Sequence, residues 1–144
     1  MGKKKVVQKL GDSGVDDKVK AQGAAGISKK IENGKVFVNA SYNNTVITVT
    51  DASGNVLAWS SAGALGFSGP KKATPFAASK IVAALSEKMK KSGPFNLDIV
   101  VKGVGSGRDS AIRTFAAQGF NINSVKDATP IPHNGPRPPK TRRV

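Results

Sequence analysis

The sequence predicts an α/β protein, a mixed sheet in the order β-β-β-α-β-α-β with helices packed on it, set between a basic N-terminal arm and a proline-rich basic tail. Three observations predict it. Short β-branched or aromatic runs alternate with turn residues between positions 35 and 61. Two stretches with helical apolar spacing follow, each with start and stop signals. Nearly all large apolar residues fall within residues 35–128, which are read as the folded domain, with 1–34 as arm and 129–144 as tail.

The strands come first. "KVFVNAS", "TVITVTD" and "NVLAWSSA" are separated by "YNN" and "DASGN", turn chemistry so close that an antiparallel meander is expected. Trp59 alternates with Leu57 and is read as core. In "ATPFAASKIVAALSEKMKKSGP", Thr74 is an N-cap and Pro75 the first helical residue. Ala78, Ile81, Val82, Leu85 and Met89 recur on one face. Lys90 and Lys91 suit the negative C-terminal end, Gly93-Pro94 stops the helix, and its alanines let it lie close on a sheet. "NLDIVVKG" reads as a buried strand. "SGRDSAIRTFAAQG" reads as a helix with Ile112, Phe115 and Ala116 inward, a capping box between Ser106 and Asp109, and Gly119 just past its end. "FNINSVKDAT" is the last strand, and the parallel pairings imply right-handed crossovers.

Charge narrows the function. The chain of 144 residues carries 23 basic and 9 acidic residues, a net +14, and such an excess calls for a polyanion. No apolar run approaches the roughly 20 residues of a spanning helix, so nucleic acid is favoured over membrane. The start has no apolar core of a signal peptide, and Val6 stands where myristoylation needs Ser or Thr. With no cysteine there is neither a disulfide framework nor a thiolate metal site. A soluble intracellular protein without cofactor or small-molecule substrate is expected. The arm holds eight lysines and four acids without apolar periodicity, as expected for a segment disordered when free. The tail "IPHNGPRPPKTRRV" has four prolines and four cations with no acid, so it forms neither helix nor strand and is expected to touch something else.

Several constellations could meet RNA. Gly103, Gly105 and Gly107 lie between a strand and a helix start, with Arg108 in the first turn. Amides there bind phosphate, while a tight βα turn needs the same glycines. The spacing fits neither the dinucleotide fingerprint nor the P-loop. Lys71 and Lys72 sit in a glycine-rich loop feeding the helix capped by Thr74, and Phe67 in that loop either stacks on a base or anchors the loop. Asn43 and Asn44 form a polar hairpin tip explained by turn chemistry, with RNA contact as a further role. Arg113 is a second cation on the helix of Arg108. The carboxylates Asp51, Glu87, Asp98, Asp109 and Asp127 are too few and too dispersed for a two-metal nuclease, and His133 is the only histidine, so no enzyme is expected. Aromatics at 6% of the chain favour recognition of RNA shape and phosphate over base reading.

"ASYNNTVITVTDASGNVLAWSSAG", "GFSGPKKATPFAA", "VKGVGSGRDSAIR" and "DATPIPHNGPRPPKTRRV", in this order and spacing, resemble the bacterial or organellar type of small-subunit ribosomal protein eleven from about Lys35 to Val144. The resemblance implies a ribonuclease-H-like arrangement without that enzyme's active site. It also implies a structural role on the platform of the small subunit, bound to its rRNA near the path of mRNA, beside the sixth, seventh and eighteenth small-subunit proteins. The implied location is a cytoplasmic ribosome or an organellar one. The RNA-facing parts it implies are Lys71, Lys72 and Thr74, the glycine turn with Arg108, and the tail with His133, Asn134, Arg137, Lys140, Arg142 and Arg143. Ser68 and Pro70 stand where the family pattern has an arginine and a small polar residue, Val104 and Ser106 where it has prolines, and Pro136 where cysteine is frequent. Asn134-Gly135 is also a chemical site. The glycine lets its amide nitrogen attack the asparagine side-chain carbonyl and expel ammonia, giving a succinimide that water opens to isoaspartate; the alternative is a plain tight turn, and Asn33-Gly34 is the internal control.

Overall fold

The computed structural model describes residues 30–143; residues 1–29, most of the arm read from sequence, and Val144 lie outside the described residues. Five strands, β1 (Asn33–Ala40), β2 (Thr45–Asp51), β3 (Val56–Ser61), β4 (Asn96–Lys102) and β5 (Asn121–Asp127), form one sheet in the order β3-β2-β1-β4-β5. The expected meander is present: β1 pairs antiparallel with β2, and β2 with β3. β4 joins the other side of β1 in parallel and β5 joins β4 in parallel. Parallel neighbours need long crossovers. These are supplied by α1 (Pro75–Ser92) and α2 (Gly107–Ala117), and two 3-10 turns, Gly63–Leu65 and Gly69–Ala73, lead into α1.

The hairpin turns follow their sequence chemistry. Between β1 and β2, the Ser41 amide donates to the Asn44 carbonyl at 2.9 Å, the Asn44 amide donates to Ser41 Oγ at 3.0 Å, and the Thr45 amide donates to Asn44 Oδ1 at 2.9 Å. Between β2 and β3, the two Asp51 carboxylate oxygens accept from the Asn55 amide and Nδ2, both at 2.9 Å. These bonds hold the Asp51 carboxyl below the usual range. α1 starts as expected: Thr74 Oγ1 accepts from the Ala77 amide at 3.3 Å, with Pro75 in the first turn. It ends at Gly93, whose φ of 86° is open to glycine.

Alternation places Val36 and Val38 of β1, Ile47 and Val49 of β2, and Leu97, Ile99 and Val101 of β4 on one face. Ala77, Ala78, Ile81, Val82, Leu85 and Met89 of α1 and Ala111 and Phe115 of α2 cover that face, and all are buried in one cluster. The helices meet through small hydroxyl residues, Ser79 Oγ lying 2.8 Å from Ser110 Oγ. The opposite face, with Phe37, Thr48, Trp59 and Val100, carries no helix among the described residues.

Three expectations need correction. Trp59 is 59% exposed, not core, because Ala58 and Ser60 take the helix-facing positions of β3 and Trp59 stands opposite Thr48 on the uncovered face. In α2 the inward positions are Ala111 and Phe115, with Ile112 half-buried against the core and Ala116 exposed. The capping box does not form, since Ser106 is helical in backbone (φ −66°, ψ −16°) and its hydroxyl donates to the Ala73 carbonyl at 2.7 Å. Gly119 follows the end of α2 with φ 87°, as its position predicts.

Candidate nucleic-acid interface

The strand directions bring distant segments to one end of the sheet. The C-terminal ends of β1, β4 and β5, the start of β2 and the end of β3 all lie there, and so do the starts of both helices. Hydrogen bonds tie these segments together. The Gly105 amide donates to the Ala40 carbonyl at 2.8 Å, and the Ala62 amide to the Thr45 carbonyl at 3.2 Å. Ser106 Oγ reaches back to Ala73, joining the glycine turn to the basic loop. The Ala128 amide donates to the Val101 carbonyl at 2.9 Å, and the Gly103 amide to Thr129 Oγ1 at 3.2 Å, fastening the root of the tail. The rim so built presents the hairpin tip with Asn43 and Asn44, the loop with Lys71 and Lys72, and the tail's point of departure. Beyond Thr129 the tail is exposed and without regular structure through Arg143, carrying His133, Asn134, Arg137, Lys140 and Arg142.

With this arrangement in view, residues 34–143 match the family model described as Ribosomal protein S11. The chain belongs to the ribosomal protein S11 family. It is therefore a structural protein of the small ribosomal subunit and not an enzyme, and the family implies binding to small-subunit rRNA and ribosomal proteins. No helix among the described residues is long and apolar enough to cross a membrane.

In this S11-family chain Gly105, Gly107 and Arg108 are closely engaged within the fold. Both glycines are buried. A Cβ at Gly105 would run into the Ser41 and Ala40 carbonyls, and one at Gly107 would lie 2.8 Å from Thr45 Oγ1 and 3.1 Å from the Ala78 Cβ. The amides of Gly103, Gly105 and Arg108 already donate to Thr129, Ala40 and Gly105. The tight-turn alternative accounts for these glycines: they let the α2 entrance press against the β1–β2 hairpin. The Arg108 guanidinium is likewise engaged, Nη1 donating to the Gly103 carbonyl at 2.7 Å and Nη2 to Asp127 Oδ2 at 2.9 Å. Thr74 also spends its hydroxyl internally, donating to the Lys71 carbonyl at 2.7 Å while capping α1. Arg113 is exposed on α2, along the groove between the helices that Ser79, Ser110 and Thr114 line.

The carboxylates of Asp98 and Asp127 have local partners. Asp98 Oδ1 accepts from Ser124 Oγ at 2.8 Å. Asp127 Oδ1 accepts from Thr129 Oγ1 at 2.6 Å and the Thr129 amide at 2.9 Å. The Thr129 hydroxyl, then the Arg108 guanidinium, hold the Asp127 carboxyl well below the usual carboxylate range. A depressed folded value means that the unfolded chain takes up this proton first. The bonds therefore stabilise the fold above about pH 4 and lose that effect as pH falls below it. Acid melting curves should show Asp127→Asn less stable than the native chain near neutrality, with the gap closing toward low pH. A gap constant with pH would show that the carboxyl does not anchor the tail root by its charge.

Sequence reasoning passed over Phe76, which is 62% exposed and packs edge-on to Phe67 at 6.0 Å between centroids, with Lys80 Nζ 5.4 Å from its ring centre. The "FAASK" spacing, one helical turn from Phe76 to Lys80, was the available signal. Phe67 is half-buried against the core and anchors its loop. Among the described residues no three His, Cys, Asp or Glu side chains gather as a metal site.

Proposed function

We propose that the rim at the C-terminal end of the sheet, together with the tail, holds small-subunit rRNA, with Lys71, Lys72, Arg137, Lys140, Arg142 and Arg143 neutralising phosphates and Asn43, Asn44, Arg113 and His133 adding contacts. The observation that carries this is the set of bonds from Gly105 to Ala40, Ser106 to Ala73 and Gly103 to Thr129, which gather the hairpin tip, basic loop and tail root on one side of the molecule. The tail then threads into folded rRNA, its prolines limiting the entropy lost on ordering. The place on the platform near mRNA, beside the sixth, seventh and eighteenth small-subunit proteins, rests on the resemblance, as does the bacterial or organellar type. The ribonuclease-H-like arrangement is supported by the sheet order β3-β2-β1-β4-β5 with β3, β2 and β1 antiparallel.

Sedimentation of tagged protein from gently lysed cells, at low and then moderate salt, tests the reading. Stoichiometric travel with small subunits at both salts is expected, with the small-subunit rRNA in the same fractions. Isolated rRNA binding should weaken with salt, by about 0.7 to 0.9 log units per log unit of salt for each phosphate neutralised. A protein left at the top of the gradient would overturn the proposal.

Asn134 is part of it. Its φ is 56°, and a Cβ at Gly135 would lie 2.9 Å from the Pro132 Cβ, so the pair sits in a folded turn. Asn33 and Gly34, the control pair, are held in β1 between β2 and β4. Isoaspartate is expected at Asn134 and not at Asn33 in mature particles. A peptide map with electron-transfer fragmentation finding plain asparagine at 134 would end the idea.

A further inference from the structure

The sheet face that no helix among the described residues covers is a second, separate surface. Across it the register aligns Trp59 of β3, Thr48 of β2, Phe37 of β1, Val100 of β4 and Lys126 of β5 in one row. A neighbouring row holds Ser61, Val46, Asn39 and Lys102, and on the other side Lys35 lies beside Asp98. Trp59 is 59% exposed and Phe37 half-buried. With strands about 4.8 Å apart, Trp59 and Phe37 stand roughly 10 Å from each other.

Trp59, Phe37 and Val100 share one row of this face, and contiguous exposed apolar surface of that kind marks a binding site. The charges on the face indicate what binds there. Lys35 and Lys102 flank the aromatic row and Lys126 ends it, while the one acid beside them, Asp98 next to Lys35, accepts from Ser124. A basic surface with two upward aromatic rings, small hydroxyl and amide side chains between them and lysines at its border suits unpaired nucleotides. Bases stack on the rings and phosphates meet the lysines. An apolar protein partner would leave Lys102 and Lys126 facing it without counter-charges on this face. We propose that this open face, centred on Trp59 and Phe37, binds an unpaired segment of RNA by base stacking, distinct from the phosphate contacts of the rim and tail. The proposal rests on the RNA-binding reading above and adds to it a second site with a different mode of recognition.

Trp59 is the chain's only tryptophan and reports its own site. The full-length protein is titrated with short oligouridylate and, separately, with inorganic polyphosphate, following Trp59 emission and the anisotropy of labelled RNA. Oligouridylate is expected to quench Trp59 strongly, and polyphosphate, which has no bases, to leave it bright. Trp59→Leu should weaken oligouridylate binding about five-fold or more while leaving polyphosphate binding unchanged. Lys102→Gln with Lys126→Gln, both exposed, should weaken it with the aromatic row intact. RNA that binds without quenching Trp59, or binds Trp59→Leu as tightly as the native chain, overturns the proposal and leaves the rim reading standing. Failure of any RNA to bind removes both. In assembled small subunits, a benzophenone side chain placed at position 59 should cross-link to rRNA. Cross-linking to a neighbouring protein, or to residues 1–29 of the same chain, overturns the proposal there.

Discussion

Ending the chain after Thr129 is expected to release it from small subunits while leaving the melting temperature of the folded domain unchanged. The cut is chosen from the hydrogen bonds. Thr129 Oγ1 accepts from the Gly103 amide and donates to Asp127, so it belongs to the domain, whereas residues 130–143 are all exposed and add little to the core. Removing Arg137, Lys140, Arg142 and Arg143 deletes up to four phosphate contacts and should flatten the salt dependence by about 3 log–log units. The milder pair Arg142→Ala with Arg143→Ala should give part of that loss. Sedimentation and thermal melting of the same preparation read both halves of the prediction. A truncated chain that still travels with subunits would show the rim sufficient, and one that melts early would show the tail to be part of the fold.

Phe115→Ala should unfold most of the protein under conditions where the native chain is stable. Phe115 is fully buried on α2, with its ring edge-on to Phe120 at 6.1 Å between centroids, and it joins the sheet to the helix layer. Truncations of buried Phe cost about 3–5 kcal/mol, a large share of the roughly 5–15 kcal/mol that holds a domain together. Denaturant titration should show the midpoint collapse, and Phe115→Leu should recover much of it because most of the volume is restored. A loss below about 1 kcal/mol would mean that Phe115 does not fill the junction between α2 and the sheet.

The elements were legible because their signals are local: alternation in "TVITVTD", the cap at Thr74 before Pro75, the breaks at Gly93 and Gly119. The errors are long-range. Period-two alternation says that Trp59 and Leu57 differ in facing from Ala58, but not which face the helices cover, and that is settled by where α1 and α2 dock. Ser106 and Asp109 have capping-box spacing, yet the Ser106 hydroxyl finds the Ala73 carbonyl, 33 residues back. Arg108 has a partner in the fold that local spacing does not announce, Asp127, 19 residues on. Glycines that could cradle an anion and glycines that admit a neighbouring backbone are spelled alike, and only the position of Ala40 against Gly105 separates them. The tail was legible because proline acts within the chain itself, and its cations need no fold to be exposed.

The central strand also sets an order of events during synthesis. β1 pairs with β2 almost at once through a short hairpin, but its other neighbour is β4, with Asn33 matched to Asn96. Until that later segment has been made, the nascent meander has one edge of β1 unpaired and its apolar face without α1 or α2. Closing such a distant pairing is slow, and an open edge beside bare valines invites association with other chains. The domain can finish only when its last third exists, and the cationic tail follows immediately behind. Completion of the fold and presentation of the RNA-binding end are thus nearly simultaneous.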